Sequence, residues 1–575
     1  MPFFRRQRAS DQPKTVKQQP VQASQTVNTQ AVNDQATKSV AIIGSGIAGL
    51  TCAHYLAKLH DVTVFEVSDY IGGHVNTIDV TLQYGKKTKE TKVESSAIDT
   101  GFIVFNERTY PNFFRLLHDL QVPFQATDMS FSVKNTARNF EYNGHTLNTL
   151  LSQRKNVLNP KFWAFMTDIL QFNKHIRQLR QDYETARAQG QDVRGFTEQT
   201  LGSYLTSKRY GALFTDNYLL PMVSAIWSTS LEKVQDTPLV FFAQFFDNHG
   251  LLDVVNRPQW FTIKGGSKQY VNKLVTRFVK TGGTVRVNSP VQSVTRHDNK
   301  VTLNVIDKDA NNNAQQLTFD DVIFACHADT ALKLLKDASP DESEVLGQFQ
   351  FTNNTAVLHT DTEVLPKKSL AWASWNYLID SKDKAQDKTG EREQQASAKP
   401  VLTYHMNILQ RLTKQHNYLV TLNKDIDPAQ VIKSIDYNHP VFDNEMIAAQ
   451  AQWSRISGSG LHTHFCGAYW FNGFHEDGVR SGLRVCQALG STIDIKDEVD
   501  PNHLPHSDST HTPFRYRDLP IKADKKARKL KKRHVMTATT NQELVDYVAT
   551  LQPAAQAFNN KKKRGLFGRR KAKNT

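Results

Sequence analysis

Three glycines and one carboxylate are the first residues whose types and spacing suggest chemistry. Gly44, Gly46 and Gly49 form a Gly-x-Gly-x-x-Gly turn, and Glu66 follows 22 residues after Gly44. The first glycine permits a tight turn, the second a close approach of backbone to a pyrophosphate, and the third close packing of a helix on a strand. Ile47 and Ala48 open that helix, whose N–H groups and positive dipole end face the phosphate charge. Glu66 sits where a carboxylate can accept hydrogen bonds from a ribose diol. Gly72 and Gly73, followed by His74, let backbone pass close to a large ligand. His327, at the end of an apolar run, is a candidate catalytic group, and a histidine there also serves as a hydrogen-bonded turn residue.

The elements that must position these residues are legible in the same stretch. An apolar run at 40–43, a helix-like segment and a β-branched run at 62–65 make a βαβ unit for dinucleotide binding. Its three glycines, with Ser45 and His54, argue against a membrane span. Residues 109–264 are dominated by helix-like stretches at 112–120, 160–183, 201–207 and 239–248, with Trp163, Trp227 and Trp260. This aromatic content reads as the core of an inserted, substrate-facing domain. The spacing predicts a hairpin over 282–305, a strand over 321–325, and further strands at 354–359, 372–378, 401–406 and 418–423.

Composition separates a folded middle from its ends. The chain has 575 residues and a formal net charge of +15, with a mean hydropathy of −0.51. Residues 1–38 and 501–575 together carry a net +17, so the remainder is near neutral at −2. Both ends lack periodicity and read as disordered, as does the polar run at 380–399. A near-neutral body whose aromatics are not interleaved with basic groups excludes specific nucleic-acid binding. The C-terminal basic clusters, at 525–533 and 561–573 around Leu566 and Phe567, suggest peripheral contact with an anionic membrane. Cys52, Cys326, Cys466 and Cys486 have no metal-type spacing and read as core residues of a reducing compartment. With no apolar signal core at the start, a cytoplasmic location is expected, peripheral to the inner membrane face if the tail binds there.

Together with the Asp99-Thr100-Gly101-Phe102 segment, the glycine turn, late acid and glycine pair resemble the flavin-containing amine oxidase superfamily. More narrowly, residues 101–113, 127–133, 159–163, 257–260, 325–329, 371–377 and 466–478 resemble a bacterial family of FAD/NAD-binding amine oxidase-like proteins. They are also similar to the flavoprotein-like half of plant cyclopropane fatty acid synthases. The resemblance covers roughly residues 39–490 and implies FAD as cofactor. It implies an α/β fold with a discontinuous Rossmann-like FAD-binding domain of the p-hydroxybenzoate hydroxylase/amine oxidase type. That domain is expected from residues 39–108, 265–345 and 460–492, and a mixed α+β substrate domain from 109–264 and 346–459. Val291 matches the position whose backbone meets the adenine end. Gly467, Gly478 and Val479 match the last FAD motif, in which a helix beginning near Gly478 would stabilise reduced flavin. Trp470, Phe474, His475 and Glu476 are the candidates for the flavin's neighbourhood, with His475 or Glu476 as proton acceptor. Phe474 stands where amine oxidases often place one wall of an amine cage, and it offers no hydroxyl. No counterpart is found for the lysine that commonly holds a water near flavin N5. The function expected is hydride transfer from a hydrophobic or fatty-acyl substrate to flavin. The alternatives are amine or polyamine oxidation and a non-catalytic role as partner of a lipid methyltransferase.

Overall fold

Five short strands, drawn from widely separated parts of the sequence, form the sheet on which the glycine turn sits. The computed structural model describes residues 37–84, 92–253, 257–308, 312–380, 400–496 and 533–552. The strands are Thr284–Arg286, Asp61–Phe65, Ser39–Ile43, Asp321–Phe324 and Thr463–Phe465 in spatial order, all parallel. Val40, Ala41 and Ile42 are fully buried, so this strand reads as a continuous apolar run instead of an alternating one. Its side chains serve two cores. Val40 and Ile42 face the Ile47–Leu56 and Lys268–Lys280 helices, whereas Ala41 and Ile43 share a core with the antiparallel Val291–His297 and Lys300–Asp307 strands.

A seven-stranded sheet holds the other candidate segments. Its order is Val431–Pro440, Phe351–His359, Leu419–Leu422, Val401–His405, Trp375–Ile379, Phe131–Asn135 and Phe140–Asn143. The helices read from the sequence are present as Pro111–Asp119, Pro160–Ala188, Leu201–Lys208 and Leu239–Asn248.

Two expectations need correction. The core does not divide after residue 108: Phe113, Leu116 and Leu117 of the Pro111–Asp119 helix, with Ala126, Phe261 and Ile263, lie in the same apolar cluster as Val40 and Ile42. Nor is the whole of 500–575 irregular. Arg533–Thr539 pairs antiparallel with Thr77–Tyr84, which in turn pairs with Lys92–Asp99. A helix at 542–552 follows, with Leu544 and Val548 buried against that cluster and Val545 and Leu551 packed beside them. The Val285 N–H donates to the Gln552 side-chain amide oxygen Oε1 at 2.8 Å. The apolar positions of this helix recur at one face, and burying them offsets the cost of ordering the segment. The expected disorder of residues 1–36 and 381–399, and the basic clusters at 525–532 and 561–573, lie outside the described residues.

Candidate active site

The three glycines of the turn meet different surroundings. Gly44 has φ 108°, and a Cβ there would come within 2.8 Å of the Ala325 carbonyl oxygen; a Cβ on Gly49 would come within 2.1 Å of the Gly44 oxygen. At Gly46 a Cβ would meet nothing within 4 Å. Gly46 caps the Ile47–Leu56 helix with no side-chain acceptor, and the first turn has no acidic residue. The N–H groups of that turn are thus presented to open space, as a phosphate-binding helix end requires.

Glu66 is held beside this turn. Its Oε2 accepts from the Ser45 N–H (3.0 Å) and Ser45 Oγ (2.6 Å), and its Oε1 from the Ser68 N–H (2.9 Å). The Gly72 N–H donates to Ser45 Oγ at 3.2 Å, which draws the Gly72–Gly73 pair against the three-glycine turn. A Cβ on Gly73 would lie 3.2 Å from Gly46 Cα. Ser45 therefore joins both glycine turns to the acid, a role the sequence reading did not assign. The Ser289 N–H donates to the Glu66 carbonyl oxygen at 2.9 Å, and Val291 follows two residues later at the start of its strand. Uncapped helix end, open glycine and adjoining carboxylate suit the pyrophosphate and ribose of a dinucleotide.

Asp99 works as architecture. It accepts from the Ser267 N–H (2.9 Å), Ser267 Oγ (2.8 Å), Thr77 Oγ1 (2.6 Å) and Gln410 Nε2 (3.1 Å). Burial nonetheless raises its pKa to about 6. The acid thus ties its own strand to three other segments.

The last motif differs from expectation in where its helix starts. The helix spans His475–Ala488, so Gly478 lies inside its first turns. A Cβ on Gly478 would meet Ile47 Cγ2 at 2.6 Å, and one on Gly482 the Ala48 carbonyl oxygen at 2.7 Å. Both glycines let this helix cross the start of the Ile47–Leu56 helix. Val479 is buried in the same core. The Gly467 N–H donates to Ser481 Oγ at 3.0 Å, closing the preceding turn onto the helix.

The four flavin-neighbourhood candidates separate. Phe474 stacks on Phe245, ring centroids 5.0 Å apart, and tilts against His249. His475 stacks on Phe102 at 3.7 Å, and its Nε2 is 2.7 Å from the Tyr270 hydroxyl; burial, then the neighbouring His74, hold its pKa well below the usual imidazole value. Trp470 is fully buried against Phe349 and Tyr469. Glu476 accepts from Asn112 N–H (3.0 Å), Asn112 Nδ2 (2.6 Å) and Phe113 N–H (2.9 Å). Both its oxygens are taken by the first turn of the Pro111–Asp119 helix, so it anchors that helix end and is poorly placed as a proton acceptor. Burial raises its pKa to about 8 against the pull of these donors.

Three histidines that the sequence does not group together meet beside the Gly72–Gly73 pair. His74 stacks on Tyr437 at 4.9 Å, with His439 at 5.7 Å and His327 at 6.5 Å; His327 also stacks on Phe351 at 4.3 Å. Burial lowers the pKa of His74 to about 3 and of His439 to about 4, and lowers that of His327. These rings are neutral at physiological pH. The sequence reading missed Tyr437 and His439; their i, i+2 spacing on a strand, which places both on one face, was the available signal.

The family model described as flavin containing amine oxidoreductase matches residues 47–397. No curated protein sequence matches the chain. Among solved structures, it is similar to a CLA-producing fatty acid isomerase from P. acnes, with a TM-score of 0.53 at 14% identity, over 78% of this chain and 97% of that one. It is likewise similar to putrescine oxidase bound to putrescine (0.53, 12%, over 79% and 99%). Cyclohexylamine oxidase from Brevibacterium oxydans IH-35A gives 0.52 at 13%, over 79% and 99%. At such identities the structural likenesses establish the shared fold. The family match extends over more than half of the sequence: the chain belongs to the flavin-containing amine oxidoreductases, and is an FAD-dependent oxidoreductase.

Proposed function

We propose that this enzyme oxidises a C–H bond of a hydrophobic, fatty-acyl substrate. FAD, when bound, supplies the two-electron acceptor at N5. The phosphate end of the cofactor falls to Gly44, Gly46, Gly49 and the helix they open, and its ribose to Glu66. One observation carries the choice of substrate class. Around the last motif the rings form two uncharged clusters, Phe102 and Phe113 about His475 and Phe245 on Phe474, and the two acids beside these rings in sequence are engaged. Glu476 serves a helix end, and Asp477 Oδ2 accepts from the Phe474 N–H at 2.8 Å. Such apolar surroundings suit an acyl chain, and neither neighbouring acid is left to meet an ammonium group. The shared fold hosts both classes, since one relative by fold is a fatty acid isomerase and others are amine oxidases. On this reading a lipid methyltransferase is a fitting partner, and co-purification checks it.

Anaerobic mixing of the flavin-loaded protein with fatty-acyl and amine panels tests the proposal. Loss of the visible flavin absorption with fatty-acyl compounds is the expected result. Bleaching by amines alone would replace the acyl substrate with an amine.

A further inference from the structure

From residue 142 to residue 167 the chain contains no aspartate or glutamate, but it contains Arg154, Lys155 and Lys161, all exposed. The same region concentrates uncovered apolar side chains. Leu158 is 89% exposed, Leu147 66%, Trp163 47% and Val157 43%, with Leu170 at 54% two helical turns beyond Trp163. These are five of the nine exposed large apolar side chains among the described residues.

Local geometry holds them on one face. The Arg154–Leu158 turn runs directly into the Pro160–Ala188 helix, whose start is capped by Asn159 accepting from the Lys161 N–H at 3.0 Å. Trp163 Nε1 donates to the Val157 carbonyl oxygen at 2.9 Å, which fixes the indole against the turn. Arg154 reaches back to Asn148 Oδ1 at 2.6 Å, next to Leu147. Leu170 stands seven residues after Trp163, on the same side of the helix. Beyond it a groove of about 400 Å³ is lined by Lys174 and by the paired Arg177 and Asp253. Asp168 marks the edge of the face and accepts from the Gly211 N–H.

Leucine, valine and tryptophan framed by arginine and lysine are what a headgroup boundary receives. The apolar groups enter, the indole sits at the polar level and the cations meet phosphates. We propose that this face seats the enzyme on an anionic phospholipid surface. A second copy of the chain is a poorer occupant, because a two-fold contact would set the same three cations against one another. The inference concerns where the enzyme works and does not depend on which substrate it oxidises.

Co-sedimentation of the full-length flavoprotein with vesicles of equimolar phosphatidylglycerol and phosphatidylcholine, against phosphatidylcholine alone, tests it. Binding is expected to the anionic vesicles. Leu158→Glu with Trp163→Glu should weaken it at least about tenfold while flavin content and thermal midpoint hold. Arg154→Gln, Lys155→Gln and Lys161→Gln together should weaken it about a hundredfold at low salt, at about fivefold per charge. Vesicles with brominated acyl chains should quench tryptophan emission in the parent, and markedly less in Trp163→Phe. Equal binding by parent and both multiple variants, or quenching unchanged in Trp163→Phe, would overturn the proposal and assign any vesicle binding to another part of the chain.

Discussion

Gly46 and Gly49 look alike in sequence, yet the space around them differs, and so do the consequences of replacing them. A side chain at Gly46 enters open space in front of a helix end. Gly46→Val should therefore fold with a nearly unchanged thermal midpoint and purify without FAD, as read from the ratio of visible to ultraviolet absorbance. At Gly49 a Cβ would collide with backbone at 2.1 Å, so Gly49→Val should lower stability itself, by about 3 kcal/mol or more on the scale of overpacked cores. Glu476 gives a pH dependence whose sign is fixed by its burial. Its folded pKa, about 8, lies above the ordinary 4.5, so between these values the folded state holds a proton that the unfolded chain has released. Stability should fall as pH rises through this window, by on the order of a few kcal/mol. Denaturant titrations at several pH values should show that slope in the parent and a reduced one in Glu476→Gln. Steady stability in the parent across the window would contradict this account of the site.

At the scale of elements, the βαβ unit was readable because strand, glycines, helix and acid agree within 28 residues, and each rests on local geometry. What the sequence concealed depends on distant partners. His74, His327 and His439 come from three unrelated segments. The last helix crosses Ile47 and Ala48 through Gly478 and Gly482, a contact that no local pattern announces. The helix at 542–552 was masked by its charged surroundings, although Leu544, Val548 and Leu551 recur at helical spacing. Its docking makes a direct prediction. Leu544→Ala and Val548→Ala remove side chains buried to 3% exposure in the core shared with the nucleotide-binding strands, and the pair should cost about 3 kcal/mol or more. A thermal midpoint unmoved by both substitutions would show that this helix does not pack there.

For the molecule as a whole, no helix among the described residues is long and apolar enough to cross a membrane. The parallel sheet takes its strands from residues 39–65, 284–286, 321–324 and 463–465, and the helix behind it ends at Ala488. A chain stopped at residue 462 should lose FAD entirely, whatever its solubility, because both the fifth strand and the crossing helix are missing. That sheet also sets a clock on the protein's own synthesis. About 140 residues separate Phe324 from Thr463, which a ribosome adds in roughly 7–28 s. Until then the outer edge of Asp321–Phe324 carries unpaired backbone, open to other nascent chains. Yield of the soluble enzyme should therefore respond to elongation speed and chaperone supply more than to the stability of the finished fold.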